Sequence, residues 1–559
     1  MDNNQIAENF SLLSKLMDIH GENAFKAKSY ASAAFAIEKL PLQISALPQE
    51  KIFDIKGIGE SSGKKIIELL QTGEIKALQE LIQKTPGGIL EMMSIKGIGP
   101  KKIATIWKEM EIETIGELLY ACKENRLKLY KGFGEKTQQN VIEIIEFYLN
   151  SKGSYLYAAM VAIEPNLTLF LQKIFGTSNV LITGDYRRKV EIIEIIEYII
   201  EESKEKIKEK FEQIDDFEPV EDTAEYLIYK NTIGFKLKLF FCTANNKIET
   251  VFNTTGNPIF VDAFKKYFPN AIKNTQCEEE IFTKANIAFI PPCLRENVDI
   301  IDKAKTNTLP TLIEATDVKG IIHSHSNWSD GNNTIEEMLL AAKNKGFQYL
   351  VISDHSKSAF YAKGLDEQRI KEQHTYIDEL NAKYPDFKIF KSIESDILYD
   401  GSLDYSNEIL ACFDLVIASV HSILKMTEEK AMMRLLKAIE NPYTTILGHM
   451  TGRLLLSRKG YPINHKKIID ACAANEVTIE LNAHPSRLDI DWQHIPYALE
   501  KNVLISINPD AHSIDGFDDV HFGVAVAQKA SVTAKNNLSS FSKENFEGFI
   551  GKRKIKKGI

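Results

Sequence analysis

The sequence predicts a multidomain chain that is α-helical at its N-terminus, α+β in its middle and α/β at its C-terminus, where the strands form a barrel. Three observations carry this reading. Residues 1–150 read as short helices broken by glycines, with one glycine-centred pattern repeated. Residues 150–300 mix the strand-like runs NVLIT (179–183) and FKLKLFFC (235–242) with an amphipathic helical run, KEKIKEKFEQI (204–214). From about residue 316, seven apolar runs alternate with polar helical segments, as parallel strands with helical crossovers do.

The 559 residues make room for about three or four domains. With 44% hydrophobic and 26% charged residues, the composition is that of an ordinary water-soluble chain. No apolar run reaches the ~18–20 residues that cross a bilayer. The start, MDNNQIAENFSLL, lacks the basic-then-apolar layout of a signal peptide. Six scattered cysteines with no CxxC pair read as reduced thiols, so a cytoplasmic protein without a membrane partner is expected. A net charge of -9 confines nucleic-acid binding to local basic patches. The oligomeric state stays open, with a monomer as the default.

The pattern IKGIGESSGKKI (55–66) recurs as IKGIGPKKI (95–103) and, more loosely, as YKGFGEKTQQNVIEII (130–145). In each copy a Gly-x-Gly turn opens a helix: Gly57 and Gly59, Gly97 and Gly99, Gly132 and Gly134. Two glycines allow a tight turn and close approach of a partner's backbone. The helix N-terminus that follows offers free N–H groups to an anion. Lys56, Lys64, Lys65, Lys96, Lys101 and Lys102 add positive charge. A plain αα-hairpin is the alternative, but two near-identical copies favour a nucleic-acid backbone as partner. The pattern resembles the helix-hairpin-helix motif, which grips DNA phosphates without reading sequence.

The C-terminal runs end in shared chemistry. VKGIIHSH carries His323 and His325, followed by Asp330; FQYLVISDH ends in Asp354-His355; FKIFKSIESD carries Glu394. FDLVIASVH ends in His421, YTTILGH in His449, and VLISINPDAH carries Asp510 and His512. The run VTIELNAH ends in His484, read as pocket lining. Strand residues i and i+2 share a face, so His323 and His325 can meet one ion. In a parallel barrel the strand C-terminal ends share one mouth. Six of twelve histidines standing at strand ends is a poor chance outcome. Imidazole and carboxylate without thiolate suit Zn²⁺, Mn²⁺ or Fe²⁺, and Ca²⁺ less well. So many ligands imply two or three ions, a cluster that activates water and clamps phosphoryl oxygens. His374, His465, His494 and His521 fall in helical or loop segments and are expected at the surface.

The stretches GIIHSHSNWSDGNNTIEEM, VISDHS, ESDILYDGSLD, ASVHS, ILGHMTGRLLL, NAHPSRLDIDW and INPDAHS resemble the polymerase and histidinol phosphatase (PHP) domain. That resemblance implies a distorted (β/α)7 barrel and a trinuclear site for divalent ions, Mn²⁺ or Zn²⁺ and also Fe²⁺. Its catalytic metal ligands would be His323, His325, Asp330, His355, Glu394, His421, His449, Asp510 and His512. Arg453, in the TGR after His449, is a candidate phosphate contact, and Arg487 a weaker one. Together with the hairpins, essentially the whole chain resembles bacterial family X DNA polymerases that carry a C-terminal PHP domain. The resemblance implies two helix-hairpin-helix domains, an 8 kDa-like one at 1–88 and a fingers-like one at 89–150. A palm-like nucleotidyltransferase domain at 151–300, a linker at 301–316 and the PHP domain at 317–559 follow. It also implies 3′–5′ exonuclease, phosphodiesterase and abasic-site endonuclease activity on gapped, 3′-ended or abasic DNA. Lys65 matches the family's Schiff-base lysine, with phosphate binding the preferred role.

The palm departs from that family. In LITGDYRRKVEIIEIIEYII (181–200), Gly184, Arg187 and Arg188 match the nucleotide site, with Asp185 replacing a serine. The family's paired aspartates fall on Ile195 and Glu197, and its third near Lys236. Its sugar contact falls on NTTGN (253–257), within a segment that reads as a loop or hairpin. A lost polymerase site with doubtful Mg²⁺ is expected. Without the resemblance, Glu191, Glu194, Glu197 and Glu201 trace one face of a helix.

Overall fold

The computed structural model describes residues 1–559 apart from 41–42, 94, 96–97, 151–152 and 233, so Lys96 and Gly97 lie outside the described residues. The chain divides into two compact units, 1–123 with 130–146, and 124–129 with 147–559.

In the first unit, helices α1 (Glu60–Thr72), α2 (Pro100–Lys108) and α3 (Glu135–Asn150) follow the three glycine turns. Ile66 and Leu69 on α1, Ile103 and Ile106 on α2, and Val141 and Ile145 on α3 are buried, three or four residues apart on one face. Gly57 and Gly132 stand at φ +96° and +93°, where an L side chain is strained.

In the second unit, residues 180–242 form a mixed sheet. Its strands are β1 (Val180–Thr183), β2 (Ile195–Glu201), β3 (Phe217–Asp222), β4 (Tyr226–Asn231) and β5 (Lys236–Cys242), in the order β1-β2-β5-β4-β3. The 191–201 stretch is therefore a strand and not a helix. Ile196, Tyr198 and Ile200 pack into one core, while Ile199 packs on the other face with Cys242 and Val251. A strand buried on both faces gives a continuous apolar run that periodicity cannot separate from a helix. The expected loop around 247–255 is likewise a helix, Lys247–Thr255, which buries Val251, Phe252 and Thr255. The helix Asp299–Lys305 covers the start of the expected 301–316 linker, and Ile313 is buried in the barrel's core.

Seven parallel strands follow: β6 (Gly320–Ile321), β7 (Tyr349–Ile352), β8 (Lys388–Asp396), β9 (Leu415–Ser419), β10 (Thr444–Leu447), β11 (Thr478–Asn482) and β12 (Ile505–Asn508). They pair in sequence order, and a parallel bridge from Ser324 to Ala511 brings the first and last together, nearly closing the barrel. All seven predicted runs are present. Alternate residues split between two cores, as strand geometry requires. Leu350, Ile352, Ile479 and Ile507 face the surrounding helices. Tyr349, Val351, Phe390 and Ile417 face inward against Phe546 and Ile550 of the C-terminal helix, with Tyr349 stacked on Phe546 at 4.6 Å.

One buried cluster ties the middle sheet to the helices after it. Glu278 takes both Arg187 nitrogens (2.6 and 3.1 Å) and the fully buried Arg295. Removing one partner of such a group strands a buried charge at a cost of about 3–5 kcal/mol. Glu278→Ala is expected to lose stability on that scale, read as lost hydrogen-exchange protection over 252–295.

Candidate metal centre

Strand alternation puts Glu394, Glu480, Asn482, Ser506 and Asn508 on the inner face, opposite the outward Ile393, Ile479, Leu481, Ile505 and Ile507. The upper barrel is thus polar where its floor is aromatic. The nine predicted ligands come together at this end. His325, Asp330, His355 and His512 form one group, His323, His325 and Asp510 a second, and His355, Glu394 and His421 a third, each with its ligand atoms within 4.8 Å of one another. His449 joins through its Nε2, 3.0 Å from Glu394 Oε1. His323 and Asp510 both stand in the left-handed region, at φ +62° and +53°. Such backbone is uncommon outside glycine and clusters at functional sites.

The residues fit divalent ions on two counts. First, buried atoms lack hydrogen-bond partners: His323 Nε2, His325 Nδ1, Asp330 Oδ2, both His355 nitrogens, Glu394 Oε2, His449 Nδ1 and His512 Nε2. Buried polar groups are ordinarily satisfied, and a cluster of exceptions points to an ion. Second, metal bonds of about 2.0–2.2 Å set adjacent ligand atoms roughly 3.0–3.5 Å apart. His323 Nε2 lies 3.2 Å from Glu394 and 3.3 Å from Asp510, and His421 Nε2 lies 3.0 Å from Glu394.

Burial opposes every charge here, yet the cluster overrides it in places. Asp510, Glu480 and Glu394 hold His323 well above the usual imidazole range, and Asp330 and Glu394 do the same for His355. Burial, then His512 and His355, push His325 down to about 3. Despite burial, the neighbouring histidines hold the Asp330, Glu394 and Asp510 carboxyls well below the carboxylate range. Divalent ions would supply that positive charge themselves, releasing protons from the histidines.

Sequence reasoning missed the supporting layer. Glu480 Oε2 accepts from His323 Nδ1 at 2.6 Å and from Asn508 Nδ2 at 2.8 Å, while its Oε1 takes the His449 backbone N–H at 3.0 Å. Asp396 faces His421 Nδ1 at 2.9 Å, and Asn482 donates to Asp510. The signal for Glu480 was an acid at an inward position of an apolar strand. Asp354 faces away from the ligands and accepts from Ser326, Ser329 and Gln373. Arg453, the candidate phosphate contact, is held in ion pairs. It pairs with Asp491 (2.6 Å) and Glu191 (2.7 Å), and donates from Nε to the Arg487 carbonyl. Arg487 is buried with its Nε 3.8 Å from Asp510. His374, His465 and His494, expected at the surface, are half-buried, the last two stacked at 3.7 Å.

In the middle sheet β2 runs parallel to β5, pairing Ile195 with Lys236 and Glu197 with Lys238, so these four share one face. The lysine beside the remaining carboxylate is Lys238, whose Nζ lies 3.3 Å from Glu197 and 4.2 Å from the Tyr226 ring centre. Burial pushes Glu197 up, against the pull of Lys238. The Glu197 carboxylate also fills the space where a Cβ on Gly184 would stand. Besides its pair with Glu278, Arg187 donates to Thr255 Oγ1 at 2.7 Å; Arg188 pairs with Asp185 and with Glu296 at 3.1 Å.

In the hairpins, Gly59 and Gly99 adopt ordinary φ values of -85° and -81°, and a Cβ there would meet nothing within 4 Å. Gly134 is equally open. The fold does not require glycine at these positions; an approaching ligand backbone would. Lys64 pairs with Glu60 at 2.6 Å and Lys65 with Glu68 at 3.5 Å, while Lys101 is exposed and Lys102 half-buried.

Comparison with known proteins agrees with this architecture. Residues 1–75 match a helix-hairpin-helix domain, 89–146 a SAM-like helix-hairpin-helix tandem, and 322–484 a PHP domain. The Bacillus subtilis protein named DNA polymerase/3′-5′ exonuclease PolX is 32% identical over 558 residues, 96% of each chain. A probable phosphatase of Acetivibrio thermocellus is 28% identical over 158 residues, 27% of this chain and 59% of its own. One from Thermoanaerobacter sp. is 28% identical over 229 residues, 38% of this chain and 84% of its own. Fold and site thus define a DNA-processing protein whose barrel holds a buried cluster suited to divalent metal ions. The chain belongs to the bacterial family X DNA polymerases with a C-terminal PHP domain. No helix among the described residues is long and apolar enough to cross a membrane.

Loss of an outer partner of a metal-bound histidine typically costs about 10–100-fold in metal affinity. Glu480→Gln is expected to weaken the tightest-held ion by that factor, measured by competition with a chromogenic chelator, with the barrel still folded by circular dichroism.

Proposed function

We propose that the barrel is a metal-dependent 3′–5′ exonuclease and phosphodiesterase acting on DNA, and that the middle domain no longer transfers nucleotides. The observation that carries the first part is the set of unpartnered buried ligand atoms at the barrel mouth. The same chemistry extends to the phosphodiester beside an abasic site. Bound divalent ions supply activation of water and neutralisation of phosphoryl charge, and the donor set suits Mn²⁺ or Zn²⁺, with Fe²⁺ a further fit. The chain's own residues orient the donors. Glu480 fixes the His323 ring, Asp396 fixes His421, and Asn482 holds Asp510. The hairpins, through Gly57, Gly59, Gly99, Gly132, Gly134 and the neighbouring lysines, would hold the DNA backbone whatever its sequence.

Loss of nucleotidyl transfer rests on the Glu197–Lys238 pair. An ammonium beside the carboxylate that stands where the family's paired aspartates fall opposes a second cation. Arg187 and Arg188, which a triphosphate would need, are engaged by Glu278, Glu296 and Asp185. The same interactions disfavour a gap-filling polymerase proofread by the barrel.

A gapped DNA with a 3′-labelled strand and added Mn²⁺ tests both parts at once. Resection without extension is expected, and His325→Ala should lower resection by at least about 100-fold. Equal resection by that variant rejects the barrel as the site, and extension that depends on Glu197 rejects the inactive middle domain.

A further inference from the structure

The segment 124–129 belongs to the same compact unit as the barrel, although it lies far outside the PHP match at 322–484. It brings a buried carboxylate and a cation to the metal ligands. Glu124, 2% exposed, has its Oε1 3.3 Å from His512 Nδ1 and its Oε2 3.3 Å from Arg126 Nη2. The Arg126 guanidinium stands 4.0 Å from Asp330 Oδ2 and 5.0 Å over the Tyr361 ring. The Arg126 side chain keeps 17% of its surface exposed, whereas Asp330 has none. The Tyr361 hydroxyl is buried without a hydrogen-bond partner, and Asp330, Glu394 and Asp396 are among the charges close enough to act on it. Lys128 donates to Asn332, in the loop just after Asp330, at 3.1 Å.

A guanidinium fork held from behind by a carboxylate suits the planar, bidentate recognition of phosphate. A buried hydroxyl without a partner wants an acceptor, and a phosphate oxygen is one. We propose that Arg126 and Tyr361 form the phosphate subsite of the metal centre, contacting a non-bridging oxygen of the DNA phosphodiester, with Glu124 positioning Arg126. The proposal rests on the nuclease reading. It gives this site the cation that Arg453 does not supply.

The full-length chain loaded with Mn²⁺, and its Arg126→Ala, Arg126→Lys and Tyr361→Phe variants, test this on a 3′-labelled single strand. Arg126→Ala should lower kcat/KM at least about tenfold, and Tyr361→Phe several-fold, with metal content unchanged. Arg126→Lys should recover part of the loss. One lost phosphate contact should also reduce the slope of log Kobs against log salt by about 0.7 for single-stranded DNA, which a merely structural role would not do. Wild-type kcat/KM and salt slope in Arg126→Ala overturn the Arg126 assignment, as does loss of metal in step with activity. Wild-type values in Tyr361→Phe remove Tyr361 from the subsite. If His325→Ala is inactive while Arg126→Ala is unaffected, the subsite fails and the nuclease stands. If the wild type resects nothing, both fail.

Discussion

The structure turns on the burial of Glu394. Its carboxylate is 1% exposed at the C-terminal end of β8 and lies within about 3–4 Å of five histidines, His323, His325, His355, His421 and His449. An uncompensated carboxylate at such depth costs several kcal/mol, so the barrel must bring positive charge to it. The five histidines come from four strand ends, with His323, His355 and His421 held above the usual imidazole range, and a nearly closed sheet of short parallel strands places them within reach. The outer layer follows from the same demand. Two of the histidines facing Glu394 have their other nitrogen satisfied from behind, His323 by Glu480 and His421 by Asp396.

The barrel and its ligands were legible because two periodicities coincide there. Apolar runs mark the strands, and a histidine or carboxylate at the end of each marks the mouth. Glu480 breaks its apolar run at an inward position and could have been found by alternation alone. Glu124 could not, because nothing in its neighbourhood announces a partner almost four hundred residues away at His512. The 191–201 stretch resisted for a different reason. Its residues are buried on both faces, which removes the alternation that separates strand from helix. Arg453 illustrates a third limit. A position beside a ligand in sequence suggests a phosphate contact, but three-dimensional packing gives it Glu191 and Asp491 instead.

The middle sheet holds a second charged cluster with the opposite character. The residues that the resemblance matches to a nucleotide site are knitted into ion pairs: Arg187 with Glu278, Arg188 with Glu296, and Glu197 with Lys238. Lys529, from the helix after β12, pairs with the same Glu296, so this network links the middle sheet to the barrel. Arg453 and Glu191 form a second such link.

The two clusters differ in a way that applies beyond either. At the barrel mouth, eight buried nitrogens and oxygens of the predicted ligands lack hydrogen-bond partners among the described residues. In the middle sheet, no atom of Glu197, Lys238, Arg187 or Arg188 is among the buried atoms left without a partner. A folded chain tolerates unpartnered buried polar atoms only where something else binds them or where strain is retained for a purpose. Those four side chains are paired with one another or with Glu278, Glu296 and Asp185, whereas Arg295 Nη2 in the adjoining network lacks a partner. Unpartnered ligand atoms thus concentrate at residues 323–512, whereas the charges of Glu197, Arg187 and Arg188 are paired with Lys238, Glu278 and Glu296.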